Sequence, residues 1–170
     1  MTRGGTSLAL KDTDDFIEMS SPDKLLWVRI KKLALNDAIL ECSKSNELET
    51  GGALAGYYSK NKSTCTIDLF LKPTSDSAHH RYNFESGVFG LKEIFSKLWP
   101  KKRFYVGDWH FHPRSSPQPS AQDLKQLKDI SEAENMKCKA PLMVIIGEVP
   151  EPYSLSVTVH FPGEGPISFS

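Results

Sequence analysis

The stretch DWHFHPRSSPQPSAQD, residues 108–123, joins the end of a predicted strand to the start of a predicted helix. Residues 104–112 read as a strand that ends at Pro113. Because side chains on a strand alternate between its two faces, His110 and His112 project to the same side. Imidazole nitrogens placed in this way can bind one metal ion, with metal–nitrogen distances of about 2.0–2.1 Å. The alternative is a surface or hydrogen-bonded pair of histidines.

A helix is predicted to begin after Pro119, with Ser120 as its N-cap and Asp123 one turn later on the same side. If the intervening Pro/Ser-rich loop folds back, the Asp123 carboxylate meets the two imidazoles. Two histidines and one carboxylate leave a fourth position open, as a catalytic zinc requires for its water. Ser-x-x-Asp is also the pattern of a plain capping box.

Zinc-dependent hydrolysis also needs a general base that is not a metal ligand, and Glu49 is the candidate. It stands at the start of a glycine-rich strand in the sequence ETGGALAG, residues 49–56. Gly51 and Gly52 can let another backbone or a substrate approach closely, and they are equally consistent with a β-bulge.

Together these residues resemble the JAMM motif, also called JAB or MPN-plus, of zinc metalloproteases. The resemblance extends from about residue 25 to residue 161. One position departs from the motif, because Phe111 stands where the family usually has Ser or Thr; on a strand it points away from the metal face. The matching residues are Glu49, His110, His112, Pro113, Ser120 and Asp123.

The resemblance implies one Zn²⁺ per chain, held by His110, His112 and Asp123. Glu49 would take a proton from the zinc-bound water and later deliver one to the leaving amine. Ser120 would donate a hydrogen bond to the oxyanion. Gly51 and Gly52 are predicted to contact substrate, since the glycine-rich strand can form one wall of a groove for an extended tail.

The family resemblance further implies cleavage of a peptide or isopeptide bond after the C-terminal tail of a ubiquitin-like protein or its conjugate. The compact form is similar to bacterial JAB-domain proteins of antiphage operons, including CBASS, where the conjugated protein is a cyclic-nucleotide synthase joined through its C-terminus. One alternative is the processing of a sulfur-carrier protein of the ubiquitin-like type. Another is a non-catalytic MPN-type scaffold, although scaffolds typically lose ligands that this chain retains.

Length and composition indicate one domain, predicted at residues 24–170, after an extension at 1–23 that is either flexible or adds one edge strand. The 170 residues hold 21 Lys plus Arg and 21 Asp plus Glu, so no charge excess points to nucleic acid or a membrane surface. No apolar run approaches the roughly 18 residues of a membrane span. Three cysteines without CxxC spacing favour reduced thiols and a cytoplasmic location.

The predicted fold is α/β of the mixed α+β type, a single JAMM/MPN-like domain with a curved mixed sheet flanked by helices. The predicted strands are residues 25–30, 49–59, 64–71, 104–112, 141–149 and 153–161, with a possible edge strand after 163. The predicted helices are residues 36–45, 84–99 and 121–135.

Several side chains carry more specific expectations. The sequence predicts that Ile67, Leu69 and Leu71 share one face of their strand. It also predicts that the apolar stripe of helix 84–99 packs in the core. His160 is expected on a solvated face, and the loop holding His79 and His80 is expected to be solvated, although it can instead touch substrate. Asp108 either orients a histidine or is a plain polar strand residue.

Overall fold

The computed structural model describes residues 15–170, which form ten strands, three α-helices and one 3₁₀ helix at Trp99–Lys101. The strands are β1 Phe16–Ser20, β2 Trp27–Lys31, β3 Gly51–Tyr58, β4 Thr64–Phe70, β5 Ala78–His79, β6 Phe84–Glu85, β7 Phe104–His112, β8 Leu142–Gly147, β9 Ser154–Phe161 and β10 Gly165–Phe169. The helices are α1 Lys32–Ser43, α2 Leu91–Leu98 and α3 Ala121–Glu132. These elements confirm the predicted mixed α/β class.

Eight of the strands form one mixed sheet in the order β1-β2-β4-β3-β7-β8-β9-β10, and β5 pairs with β6 in a separate hairpin. The β2–β4 and β7–β8 pairs are parallel, and the remaining pairs are antiparallel. The two edge strands meet at one end, where Ser20 and Ser170 exchange backbone hydrogen bonds of 2.8 and 3.0 Å. The sheet is therefore strongly curved, as predicted.

For the first 23 residues the sequence predicts an extension that is flexible or adds an edge strand. Residues 16–20 of that extension form the edge strand β1, paired with β2. Residues 1–14 lie outside the described part of the chain.

The two faces of the sheet are covered by different helices. On one face α1 packs in the main core, which includes Trp109 and Phe111 of β7. On the other face Leu127 of α3 packs on Met143 and Ile145 of β8. All six residues of β8 are buried for this reason, because the main core covers one face of the strand and α3 covers the other. Phe111 faces the core as expected, so His110 and His112 point to the α3 side.

The prediction of a long helix at residues 84–99 is wrong about where the helix starts and about the burial of its apolar side chains. Phe84 belongs to β6, and α2 begins only at Leu91, after Gly90 with a φ of +79°. The Asp76 carboxylate accepts the backbone N–H groups of Val88 and Phe89, which holds this segment out of a helix. Val88 is 74% exposed and no residue of α2 is buried, so the apolar stripe does not form core.

Helix α1 also starts earlier than predicted, directly after β2 at Lys32 instead of near Asn36, and it ends at Ser43. Helix α3 ends at Glu132, three residues before its predicted end.

The expected shared face of Ile67, Leu69 and Leu71 is wrong because the β3–β4 register shifts between Ala55 and Gly56. Ala55 pairs with Leu69 and Gly56 with Ile67, so Asp68 is an extra residue that reverses the alternation. Leu69 is consequently 36% exposed while Ile67 is fully buried.

The predicted solvated position of His160 is wrong, because this residue is buried beneath α3. Its Nδ1 lies 2.9 Å from the Ser131 hydroxyl oxygen. That hydroxyl donates to the Lys128 carbonyl, so it accepts from the imidazole. The polar residues of β9 indicated a face exposed to solvent. The alternation along the strand could not show that α3 covers this face.

The glycines of β3 allow close contact between backbones, and the register shifts lie further along the strand than Gly51 and Gly52. A Cβ atom on Gly51 would lie 2.1 Å from the Trp109 carbonyl oxygen, and one on Gly52 would lie 2.2 Å from that of Leu71. Strand β3 is hydrogen-bonded to β4 on one edge and β7 on the other. On the β4 side the pairing begins at Ala53, whose carbonyl accepts the Leu71 N–H, so β3 has no free edge between Ala53 and Gly56.

All three cysteines, Cys42, Cys65 and Cys138, are free thiols, as the sequence predicted. Within residues 15–170, none of the helices has both the length and the apolar character needed to cross a membrane.

We expect Gly107→Ala to lower the free energy of unfolding by about 3 kcal/mol or more, because both its backbone and its surroundings require glycine. Gly107 has a φ of +153°, and a Cβ there would lie 1.9 Å from the Leu142 carbonyl oxygen of β8. Gly163→Ala is the matched control, because Gly163 has a φ of +78° and a Cβ added there would meet no heavy atom within 4 Å. That control should cost only about 1 kcal/mol. Urea unfolding measures both values, and equal losses would contradict the steric account.

Candidate active site

His110 and His112 converge from β7 onto one point beneath the N-terminal end of α3. Their Nε2 atoms lie 3.0 Å apart, and their exposed fractions are 7% and 9%. Both side chains share a face because β7 is regular here, with His110 opposite Ile145 and His112 opposite Gly147 of β8. The structure thus brings together the two imidazoles that the sequence predicted to act as a pair.

The Pro/Ser-rich loop fixes the tautomer of His112. The Nδ1 of His112 lies 3.2 Å from the Ser116 carbonyl oxygen, which can only accept a hydrogen bond. Nδ1 therefore carries a proton, and in the neutral ring the Nε2 lone pair faces His110.

This loop is held against the ends of β8 and β9. The Ser156 hydroxyl donates to the Pro117 carbonyl at 2.5 Å, and the Glu148 N–H donates to the Ser115 carbonyl at 2.9 Å. Gly147 permits the crossing, since a Cβ there would lie 2.6 Å from the Pro117 nitrogen. The loop therefore folds back as predicted and returns the chain to the histidines.

Ser120 and Asp123 form a capping box and also reach the histidines, so the two interpretations of this motif hold together. The Asp123 N–H donates to the Ser120 hydroxyl oxygen at 3.1 Å, and the Ser120 N–H donates to Asp123 Oδ2 at 2.7 Å. Asp123 Oδ1 lies 3.2 Å from His110 Nε2, and Oδ2 lies 3.4 Å from His112 Nε2. Burial opposes its charge, but the hydrogen bonds with His110 and His112 hold the pKa of Asp123 well below its usual range.

Glu49 completes the cluster from the segment just before β3. Its Oε1 lies 3.9 Å from His112 Nε2, and the residue is 8% exposed. Burial raises the pKa of Glu49 to about 7, and the Asp123 carboxylate adds to this while His112 opposes it. For His112, burial favours the neutral ring, but the hydrogen bond with Asp123 and the charge of Glu49 outweigh it and raise the pKa.

The cluster opens into a cleft of about 450 Å³, lined by Glu49, His112 and Ser120. Part of the rim is an ion pair between Arg114 and Glu47. The remaining lining residues are Arg81, Tyr82, Pro113, Ser115 and Gln118. Glu49 and Ser120 therefore both lie in the wall of this cleft.

The loop that contains His79 and His80 keeps both side chains exposed, as expected of a solvated loop, yet it contacts Glu49 in a way that no pattern in the sequence indicated. It includes the β5–β6 hairpin, and both its histidines hydrogen-bond the Glu49 backbone. The Glu49 N–H donates to the His80 carbonyl at 2.8 Å, and His79 Nδ1 lies 3.1 Å from the Glu49 carbonyl. Only the three-dimensional path of the loop places it there.

Asp108 lies on the histidine side of β7 but bonds elsewhere. Its Oδ2 accepts a hydrogen bond of 3.1 Å from the Tyr105 hydroxyl. Burial raises the pKa of Asp108 to about 6. This contact favours the plain strand-residue interpretation over a role in orienting a histidine.

The donor set fits a divalent metal ion. Glu49, His110 and His112 each offer a ligand atom, and these atoms lie within 4.8 Å of one another. Asp123 adds carboxylate oxygens 3.2 and 3.4 Å from the two imidazoles. So many lone pairs pointing to one buried place repel each other unless a proton or a cation lies between them. Imidazole and carboxylate are ligands that divalent transition metals accept.

The raised pKa of Glu49 predicts how the metal-free protein responds to pH. Below pH 7 Glu49 stays protonated in the folded protein, whereas in the unfolded chain it loses this proton near the ordinary carboxyl pKa. Glu49 therefore lowers the free energy of unfolding by an amount that grows as the pH rises. We expect Glu49→Gln to raise the unfolding free energy by about 1–2 kcal/mol more at pH 8 than at pH 5. Denaturant unfolding with chelator present measures this, and an equal effect at both pH values would contradict it.

Comparison with known proteins agrees with this geometry. The model of a family described as prokaryotic homologs of the JAB domain matches residues 33–159. A relative from Enterobacter hormaechei, named CD-NTase/cGAS isopeptidase, is 35% identical over 161 residues, covering 94% of this chain and 87% of the relative. A Sinorhizobium fredii protein, named a probable metalloprotease, is 28% identical and covers 75% of this chain and 79% of its own length.

The fold is also shared with a solved structure. The solution structure of protein DSY2949 from Desulfitobacterium hafniense superposes with a TM-score of 0.62, covering 82% of this chain and 87% of that one. Its 14% identity shows likeness of fold alone. From the family match and the extent of the first relative, we conclude that the chain is a hydrolase that belongs to the prokaryotic homologs of the JAB domain.

Proposed function

We propose that this chain is a zinc-dependent isopeptidase that cleaves the bond after the C-terminal tail of a conjugated protein. The observation that carries the proposal is the convergence of His110, His112 and Asp123 beside Glu49 in an open cleft. The relative named CD-NTase/cGAS isopeptidase supports a CD-NTase, a cyclic-nucleotide synthase, as the conjugated protein.

In this proposal His110, His112 and Asp123 hold one Zn²⁺ per chain. Bound zinc supplies Lewis acidity and lowers the pKa of a water to about 7. The hydrogen bond from His112 Nδ1 to the Ser116 carbonyl keeps the Nε2 lone pair directed at the site. The capping box holds Asp123 at the start of a rigid helix, so its carboxylate does not need to be ordered on binding.

Glu49 is the proton-transfer group in the proposed reaction. A base with a pKa near 7 accepts a proton at neutral pH and can return it, so burial of Glu49 suits both tasks. The carboxylate takes a proton from the attacking water and delivers one to the amine as the carbon–nitrogen bond breaks. The position of Glu49 in the lining of the cleft supports this role toward a bond held there.

Ser120 stabilises the oxyanion of the tetrahedral intermediate. Its hydroxyl oxygen accepts the Asp123 N–H, which leaves the hydroxyl proton free to donate. Among residues 15–170 that hydroxyl donates to no other group, and Ser120 lines the cleft. A hydrogen bond made chiefly to the developing negative charge accelerates the reaction.

The substrate tail would lie extended through the cleft. Because both edges of β3 are paired from Ala53 to Gly56, we place the tail beside the β5–β6 hairpin, whose turn residues Arg81 and Tyr82 line the cleft. We also propose that the substrate tail contacts Gly51 and Gly52. Any such contact must be made at the end of β3, where the strand passes into Thr50 and Glu49.

The biological setting follows from the relatives. We propose that the enzyme reverses conjugation in an antiphage system of the CBASS type, in the cytoplasm, where three free thiols stay reduced. The alternative substrate is a ubiquitin-like protein, including a sulfur carrier trimmed to its mature C-terminus. A CD-NTase tail and a ubiquitin-like tail can be compared directly as substrates.

The decisive experiment uses a reporter protein fused by a peptide bond to the C-terminal tail of a CD-NTase. A sulfur-carrier fusion and an unrelated tail are compared in parallel. We expect wild-type protein with zinc to cut the CD-NTase fusion, and Glu49→Gln to cut it about 10²–10⁴-fold more slowly because the base is lost. Elemental analysis should give one zinc per chain in both proteins, since Glu49 is not a ligand.

The His110→Ala/His112→Ala variant separates metal binding from proton transfer, because it should lose both zinc and cleavage. Preferential cutting of the sulfur-carrier fusion would replace the proposed substrate. Undiminished cleavage by Glu49→Gln, or zinc retained by the double variant, would refute the assigned roles.

Ser120→Gly tests the oxyanion role with little disturbance of the helix, because glycine replaces an N-cap serine at a cost of only a few tenths of a kcal/mol. We expect kcat to fall about 10²-fold, the effect of removing one oxyanion donor. Zinc content and the urea midpoint should stay near wild type. A loss of kcat that is matched by loss of zinc would instead assign Ser120 to supporting Asp123.

A further inference from the structure

Glu49 lies outside the regular sheet, so the sheet does not fix its position. Strand β3 begins only at Gly51, and the preceding segment is irregular, with positive φ values of 53° at Asn46 and 64° at Glu47. The last bond of the β3–β7 ladder joins the Phe111 N–H to the Thr50 carbonyl at 2.8 Å. The backbone of the proposed general base therefore needs support from another part of the chain.

The side chain of Glu49 does not provide that support. Among the described residues its nearest charged partner is His112, and the 3.9 Å between Oε1 and Nε2 exceeds a hydrogen bond. The direction of the carboxylate consequently depends on how the backbone of Glu49 is held.

The β5–β6 hairpin is hydrogen-bonded to both the N–H and the carbonyl of Glu49. The Glu49 N–H donates to the His80 carbonyl at 2.8 Å, and His79 Nδ1 lies 3.1 Å from the Glu49 carbonyl. A carbonyl oxygen only accepts, so His79 Nδ1 is the donor. The first bond uses the backbone of His80 and is available to any residue, whereas the second requires the side chain of His79.

The hairpin is itself anchored to the helix that carries Asp123. Within the hairpin, the His79 ring packs on the buried Phe84, and the two ring centroids lie 5.2 Å apart. Asn83 Oδ1 accepts a 3.1 Å hydrogen bond from Gln122, the residue before Asp123. The hairpin therefore connects Glu49 with α3 across the mouth of the cleft.

We propose that His79 is a positioning residue for Glu49, which it holds in register with the metal ligands through its Nδ1–H bond to the Glu49 carbonyl. The inference rests on the proposed function, because it assigns the reason for the bond to the base role of Glu49. His79 itself does not touch the reacting atoms.

A matched pair of substitutions isolates this bond. The Nδ2 of asparagine occupies nearly the same place as histidine Nδ1, so His79→Asn keeps a donor that His79→Leu removes. We expect His79→Leu to lower kcat about tenfold with KM and zinc content unchanged, because a displaced base loses rate without losing binding. His79→Asn should recover most of that loss. Glu85→Leu, an exposed position on the same hairpin, controls for an added leucine.

Two further measurements separate positioning from a general weakening of the fold. In a Glu49→Gln background His79→Leu should cause no further loss of rate, because the group it positions is gone. Amide hydrogen exchange of residues 44–50, followed by mass spectrometry, should be at least about fivefold faster in His79→Leu than in wild type. Exchange in β7 and β8 should be unchanged, and His79→Asn should resemble wild type.

The exchange measurement needs no substrate, so it tests the backbone support even if the cleavage assay of the proposed function fails. Unchanged exchange at residues 44–50 in His79→Leu would overturn the proposal. So would a wild-type kcat for that variant on a fusion that wild-type protein cuts. An equal rate loss with and without Glu49 would show that His79 acts on something other than the base.

Discussion

The antiparallel pairing of β3 with β7 is the constraint on which the site depends. Gly51 lies opposite His110, and the ladder continues to the Thr50 carbonyl, so Glu49 emerges beside His112. This pairing is possible only because Gly51 has no side chain, since a Cβ would strike the Trp109 carbonyl oxygen. The same residue thus serves strand packing and the spacing between the proposed base and the proposed metal ligands.

Burial then gives the assembled groups their chemical character. Two imidazoles and two carboxylates share a small volume beneath α3, where removal of water penalises isolated charge. Asp123 stays ionised because both histidines hydrogen-bond it, whereas Glu49 lacks such partners and its pKa rises to about 7. One carboxylate is therefore suited to hold a cation and the other to carry protons, although both belong to a single cluster.

The elements that support the site are short and local. The capping box that starts α3 also orients Asp123, and the loop carbonyl of Ser116 sets the tautomer of His112. The β5–β6 hairpin spans the cleft between Glu49 and α3. Each of these contacts is made by an irregular segment held on a rigid sheet, a common way to build a site that must be accessible and still precise.

The sequence by itself determined the ligand-bearing strand, the capped helix and the glycine-rich strand, because period-two alternation and capping chemistry are local properties. These local patterns predicted that His110, His112 and Asp123 would come together, and the resemblance to the JAMM motif added Glu49. Tertiary structure alone decided which faces are covered. It buried His160 under α3, exposed Leu69 through a bulge at Asp68, and left α2 on the surface. It also brought His79 to the backbone of Glu49, because a contact between residues 30 apart depends on the path of a loop, which no short-range pattern encodes.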